Sequence, residues 1–273
     1  MKENNSKKNY FKMWISTILL NLALFYAIFQ FVYHEKTYDA SHINNESFVL
    51  VSVTSHIDLA MCKMIAGEDC DIPSAGNSTS ARGSGFVVSH NRSKTYIVTA
   101  EHVCNFKIEK PRSLSDIVYN FVSINEIKLT DFNGNTYSAN IKYADKKNDI
   151  CILESSGVWG TATPIADKMP DHGERVYNIA APYGIFSPGM ALTFDGYYSG
   201  TDQWGNEVYT LPTRPGSSGS AIFNSAGELV SIIHSSTMAL ENIGIGCKLK
   251  NLKAAISSYA TEPANGYFFF LRR

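Results

Sequence analysis

EIKLTDFNGNTYSANIKYA, residues 126–144, reads as two alternating runs joined at Asn133-Gly134. On either side of that dipeptide apolar and polar residues change places about every second position, the period of a strand with one buried face. Asn and Gly both tolerate the positive φ that a tight hairpin turn requires. The segments around it have the same character: GFVVS, TYIVTA, DICILE, RVYNIAA, MALTFDGYYSG, EVYTL, SAIFN, ELVSIIHS and GIGCKL are short, rich in β-branched and aromatic residues, and divided by turn residues. Only NLKAAISSY, residues 251–259, has a helical pattern. About ten to twelve strands in a domain of this size predict an all-β fold of closed or paired barrels, because closure removes unpaired edges.

Towards the N-terminus, FVLVSVT, residues 48–54, reads as the first strand, and residues 56–82 as a long inserted surface loop without periodicity. Residues 34–46 form a polar linker. Before it, residues 13–33 carry no charged side chain and as a helix would extend roughly 30 Å, enough to span a bilayer. Lys2, Lys7, Lys8 and Lys12 precede this stretch. The positive-inside bias therefore predicts a cytoplasmic tail of residues 1–12, a transmembrane signal-anchor helix over 13–33 in the lipid bilayer, and a non-cytoplasmic domain over 47–260 followed by a tail, 261–273. A cleaved leader is the rival reading, but its apolar region should end after about 7–15 residues, and here apolarity continues through Phe29, Phe31, Val32 and Tyr33.

A hydrophobic content of 44% over 273 residues excludes a disordered chain, and a net charge of -1 gives no field that would attract nucleic acid. Of five cysteines, Cys62 and Cys70 share one polar segment and are the best candidates for a bridge, with two unpaired thiols as the alternative. Cys104, Cys151 and Cys247 lie in apolar runs, where cysteine usually serves as a small buried hydrophobe. No Cys/His cluster suggests a metal, and nothing implies a cofactor.

Acyl transfer needs a nucleophile, a base, a group that orients the base, and donors for the oxyanion. In Gly216-Ser217-Ser218-Gly219-Ser220 the glycines allow a tight turn that presents Ser218, with the N–H groups of Gly216 and Ser218 pointing into one small space. His102 stands just beyond a strand in VTAEHVC, residues 98–104, and Asp149 at the mouth of an apolar strand in NDICIL, residues 148–153.

Taken together in the order His, Asp, Ser, these segments resemble the chymotrypsin-like (trypsin-like) serine proteases. GSGF (83–86), TAEH (99–102), DKKNDICIL (145–153) and RVYNIAAPYG (175–184) look most like HtrA-type protease domains; YTLPTRPGSSGSAIFN (209–224) is similar also to glutamyl endopeptidases. The resemblance implies a double β-barrel with a short C-terminal helix. It implies a serine endopeptidase acting on proteins or peptides through an acyl-enzyme, with Ser218 as nucleophile, His102 as general base, Asp149 orienting it, and Gly216 and Ser218 forming the oxyanion hole. It admits a homo-oligomer, and although HtrA-type proteins normally carry a PDZ domain after the protease, the short stretch after Tyr259 is not expected to hold one.

Thr213 falls where glutamyl endopeptidases place a pocket threonine, but their pocket histidine aligns with Ile233, so His234 lines the pocket only if a bulge shifts it. Pro212 occupies the place of trypsin's pocket aspartate, so cleavage after Lys or Arg is not expected. Glu101 departs from the usual alanine before the histidine. The alternative function is an inactive protease homologue serving as a binding or scaffolding module. An α/β-hydrolase is disfavoured by Ser220 in place of the second glycine of GxSxG and by the chain order.

Overall fold

The computed structural model describes residues 14–27, 40, 43–67, 70, 78–237 and 240–260. The chain divides into two units, Met1–Asp39 and Ala40–Arg273. In the first, residues 14–27 form a helix (α1) whose apolar side chains are exposed, Trp14, Leu20 and Phe25 by about 70% each. Residue 13 and residues 28–33 of the apolar stretch lie outside the described residues. Among the described residues no helix is long and apolar enough to cross a membrane, which says nothing of β-barrels.

The second unit contains thirteen strands among its described residues. β1 (Phe48–Ile57), β2 (Ser78–His90), β3 (Lys94–Thr99), β4 (Ser123–Asp131), β5 (Thr136–Asp145) and β6 (Ile150–Ser156) close into a barrel in the order β1-β2-β3-β6-β5-β4. β7 (Arg175–Ala180), β8 (Phe186–Ser187), β9 (Met190–Thr201), β10 (Glu207–Tyr209), β11 (Ala221–Phe223), β12 (Leu229–Thr237) and β13 (Leu240–Gly246) make a second sheet, β10-β13-β12-β11-β7-β9-β8, which the additional β10–β9 pairing closes on itself. The hairpin at Asn133-Gly134 forms, with Thr130 paired to Thr136 and Gly134 at φ 91°.

Strand periodicity explains the packing of the barrels on each other. In β1, Val49, Val51 and Val53 fill the first barrel, while Phe48 and Leu50 belong to a core shared with the second. In β6, Cys151 and Leu153 point inward, Ile150 and Ile152 outward; in β11 of the second barrel, Ile222 points inward, Ala221 and Phe223 outward. Strands buried on both faces are continuous apolar runs, as GFVV and DICIL are. Phe86 meets Phe223 edge to face at 5.1 Å between ring centroids across this seam. Helix α5 (Leu249–Tyr259) closes one side of it through Leu252, Ala255 and Ile256.

The structure corrects the expectation that only the C-terminal segment is helical. The inserted loop contains α2 (Leu59–Ala66), started by Asp58, whose side chain accepts from the N–H groups of Ala60 and Met61 at 3.0 Å. A single turn, α3 (Glu101–Cys104), follows β3, and α4 (Asp116–Val122) is capped by Ser115. DIVYNFV is rich in β-branched and aromatic residues, so its composition hides a helix that its cap and its packing stabilise. Ile57, Leu114, Tyr119 and Val122 form a small satellite core with the Cys62–Cys70 disulfide.

Candidate active site

β3 ends at Thr99, paired with Cys151 of β6. Extending that antiparallel register by two residues brings position 101 opposite Asp149, so strand pairing makes the histidine of α3 and the aspartate before β6 neighbours. The Asp149 carboxylate takes both available donors: Oδ1 accepts the His102 backbone N–H at 2.9 Å, and Oδ2 lies 2.7 Å from Nδ1. A proton on Nδ1 leaves Nε2 as the basic nitrogen. Asp149 has φ 52°, a left-handed conformation that Asp adopts more readily than most residues. The turn before it is held by Asp145, which accepts the N–H groups of Lys147 and Asn148, and by Asn251 of α5, which donates to Asn148 Oδ1 at 2.6 Å.

This geometry sets the charges. The hydrogen bond to Asp149 is the largest influence on His102 and, against burial, raises its pKa above the usual 6.5. For Asp149, burial is the largest single influence and acts upward, but the hydrogen bonds from His102 and the charges of His102 and His234 together outweigh it, and the carboxyl lies below its ordinary value.

Ser218 precedes β11 in the second barrel, and its loop is braced against the first by Ser84, which is fully buried. The Ser84 N–H donates to Ser218 O at 2.8 Å and its hydroxyl to Gly216 O at 2.9 Å. The same hydroxyl accepts the Ala181 N–H at 3.0 Å, and Ser84 O accepts from Thr99 Oγ1 at 2.7 Å. Gly219, at φ 82°, lies so close that a Cβ would stand 2.2 Å from Ser84 O and Thr99 Oγ1 and 2.8 Å from Ala100 N. The serine loop is thereby set against the residue two before His102. Asn178 holds the far side of the loop, donating to Ser220 Oγ at 2.8 Å and Ala221 O at 2.7 Å.

Within the loop the N–H groups of Ser217, Gly219 and Ser220 donate to Arg214 O, Ile233 O and Ser217 O. Those of Gly216 and Ser218 donate to no acceptor among the described residues. Gly216 is at φ 98°, packed so that a Cβ would lie 2.5 Å from Ala181 O. Two unused donors flanking one residue, beside a serine, suit an anionic oxygen. His102 is half exposed, and no hydrogen bond joins its Nε2 to Ser218 Oγ.

One sequence expectation changes here. Cys104 and Cys151 are joined in a disulfide rather than serving as separate buried hydrophobes. They stand on neighbouring segments, each two residues past His102 and Asp149, a proximity that only the β3–β6 pairing reveals. Cys247 keeps its thiol and is buried, and that burial pushes its pKa up to about 11. Thr213 and His234 occupy different surroundings. Thr213 is buried, donates to Ile243 O at 3.2 Å, and shares Gly244 as a neighbour with Ile233. The β12–β13 register shifts between Ile233 and Ser235, and His234 lines a cleft with Asp149. Burial lowers its pKa, opposed by the Asp149 charge and supported by that of His102. Glu101 is buried and accepts from Asn105 Nδ2 at 2.8 Å.

The sequence profile described as "Trypsin-like peptidase domain" matches residues 83–232. The chain belongs to the trypsin-like peptidase family. It is 29% identical over 206 residues to the "Serine protease Do-like HtrA" of Lactobacillus helveticus, covering 70% of this chain and 45% of that protein. It is 27% identical over 194 residues to the "Serine protease Do-like HtrB" of Bacillus subtilis (strain 168), covering 66% of this chain and 37% of that one. The chain thus spans less than half the length of these curated relatives. A crystal structure of a serine endoprotease from Yersinia pestis matches with a TM-score of 0.57 at 21% identity, over 82% of this chain and 66% of that one, a likeness of fold. In this trypsin-like peptidase, Ser84, Asn178 and Asn251 support the site without having been singled out by sequence. Ser84 lies in the GSGF stretch, but its partners are distant in the chain.

Proposed function

We propose that the chain is a membrane-tethered serine endopeptidase that hydrolyses peptide bonds through an acyl-enzyme, with Ser218, His102 and Asp149 as its catalytic triad. The observation that carries this reading is the double hydrogen bond of the Asp149 carboxylate to His102, opposite a serine loop with two uncommitted N–H groups. In the proposed cycle Nε2 of His102 takes the Ser218 proton as Oγ attacks the substrate carbonyl. The N–H groups of Gly216 and Ser218 receive the oxyanion, a contribution of about 2.7–4 kcal/mol per donor in the transition state. His102 then gives its proton to the leaving amine, and water attacks the ester by the reverse path, freeing Ser218.

The tether is residues 13–33, with the N-terminus cytoplasmic and the protease on the other side. Its support is the uncharged sequence, the preceding lysines and the exposed apolar side chains of α1. Thr213 belongs to the wall of the specificity pocket in this reading, and the HtrA resemblance admits association of copies of the chain. Degradation of unfolded casein by the full chain, compared with Ser218→Ala, tests the activity; carbonate extraction of cell membranes tests the tether.

The absence of a Ser218–His102 hydrogen bond favours a second reading, a protease homologue that binds peptides without cleaving them. Catalytic hydrogen bonds are often long before substrate binds, so the endopeptidase reading stands first. Casein left intact while it still binds the full chain would decide for the second.

A further inference from the structure

The cleft shared by Asp149 and His234 has a volume of about 430 Å³ and is also lined by Lys147, Lys248, Lys250 and Trp204. The three lysines are exposed, and none has an ion pair or a side-chain hydrogen bond among the described residues. By contrast, Lys94, Lys110, Lys142 and Lys253 each pair with a carboxylate. The cleft's own acid, Asp149, is committed to His102 through both oxygens. In a chain with 24 Lys+Arg against 25 Asp+Glu, this is a local excess of positive charge that composition does not require.

Helix energetics do not account for it either. Lys248 is the N-cap of α5 without a side-chain cap bond, and Lys250 is in its first turn, which contains no acid. Cations there oppose the helix dipole, which favours acids at that end. Two of the three lysines thus stand where they weaken the helix. Trp204, on the β9–β10 turn, is 77% exposed beside them, a large rigid side chain of the kind that anchors ligands.

Resting on the endopeptidase reading, we propose that this cleft binds an acidic segment of the polypeptide substrate, Lys147, Lys248 and Lys250 receiving its carboxylates while Trp204 packs on its backbone or an apolar neighbour. The cleft is confined and adjoins the triad through Asp149, which suits a chain on its way to Ser218. An extended polyanion would need a broad basic face, which a net charge of -1 does not favour.

The test uses the full chain carrying Ser218→Ala, so that binding is read without cleavage, and a fluorescein-labelled oligoglutamate peptide with its oligoglutamine counterpart. The glutamate peptide is expected to bind more tightly, more weakly as salt rises, and about tenfold less tightly to the Lys147→Gln/Lys248→Gln/Lys250→Gln variant, given the modest contribution of each exposed pair. The matching arginine variant should retain binding. In the active chain the same three glutamine substitutions should raise KM for a glutamate-containing substrate.

Equal binding of the two peptides, or undiminished binding by the glutamine variant, overturns the proposal. So does full displacement by equimolar inorganic phosphate, which marks a small-anion site, or lysine-dependent binding to phosphatidylglycerol vesicles without peptide binding, which marks a lipid site. Fluorophosphonate labelling of the unsubstituted chain separates the two ideas: glutamate binding without labelling counts against the protease and not the cleft, whereas labelling without glutamate preference counts against the cleft.

Discussion

The carboxylate of Asp149 and the hydroxyl of Ser84 do different work at one site, and substitutions should separate them. Asp149→Asn keeps the size but no longer favours a proton on Nδ1; activity should fall by about 10⁴-fold in kcat. Because the Asp149 hydrogen bond is what most raises the His102 pKa, the acid limb of kcat/KM in the parent enzyme should lie above pH 6.5 and move down in any residual Asp149→Asn activity. His102 is a base only when neutral, so activity rises with pH through that limb; a pH profile of cleavage checks both the position and the shift. Ser84→Ala removes the hydroxyl linking Ala181 N–H to Gly216 O. Leaving these buried groups unpaired should cost about 1–3 kcal/mol of stability, read as a lower melting temperature, together with a drop in kcat as the Gly216 turn loosens. Gly219→Ala should be more damaging, since its Cβ would stand 2.2 Å from two oxygens at a positive φ. It should yield little folded protein, measurable by circular dichroism.

The barrels were legible in the sequence at the level of elements because strand periodicity is local: the Asn133-Gly134 hairpin, the doubly apolar GFVV and DICIL strands and the final helix all follow from patterns within about ten residues. His102, Asp149 and Ser218 were singled out for another reason, the order and surroundings of three short motifs, and the hydrogen bonds between His102 and Asp149 join the first two. Helices α2 and α4 were not, because their stability comes from caps and from packing on each other and not from a periodic stripe. Nor was the Cys104–Cys151 disulfide, which depends on the register between β3 and β6. By joining α3 to β6 it ties together the two segments that carry His102 and Asp149. Loss of this bridge in Cys104→Ser/Cys151→Ser should cost about 2–4 kcal/mol, and thermal unfolding with and without reductant measures it. Thiol counting checks the pairing: the folded protein should take up no maleimide, and the unfolded, unreduced protein should take it up at Cys247 only.

For the molecule as a whole, the proposed triad depends on two barrels meeting correctly. His102 and Asp149 come from the first, Ser218 and the proposed oxyanion donors from the second, and the shared core around Phe48, Phe86 and Phe223 with the Ser84 hydrogen bonds fixes their separation. Phe86→Ala, buried at that seam, should destabilise the fold by about 3–5 kcal/mol, seen in denaturant unfolding. Within the endopeptidase account, the trypsin-like peptidase family supplies the chemistry and the exposed surroundings of Asp149 select the substrate. The most direct test of that account is labelling of the full chain with a fluorophosphonate, followed by mass spectrometry of the modified peptide. The account predicts an adduct on Ser218 that disappears in His102→Ala; a folded chain that takes no label, or carries it on another residue, would contradict it.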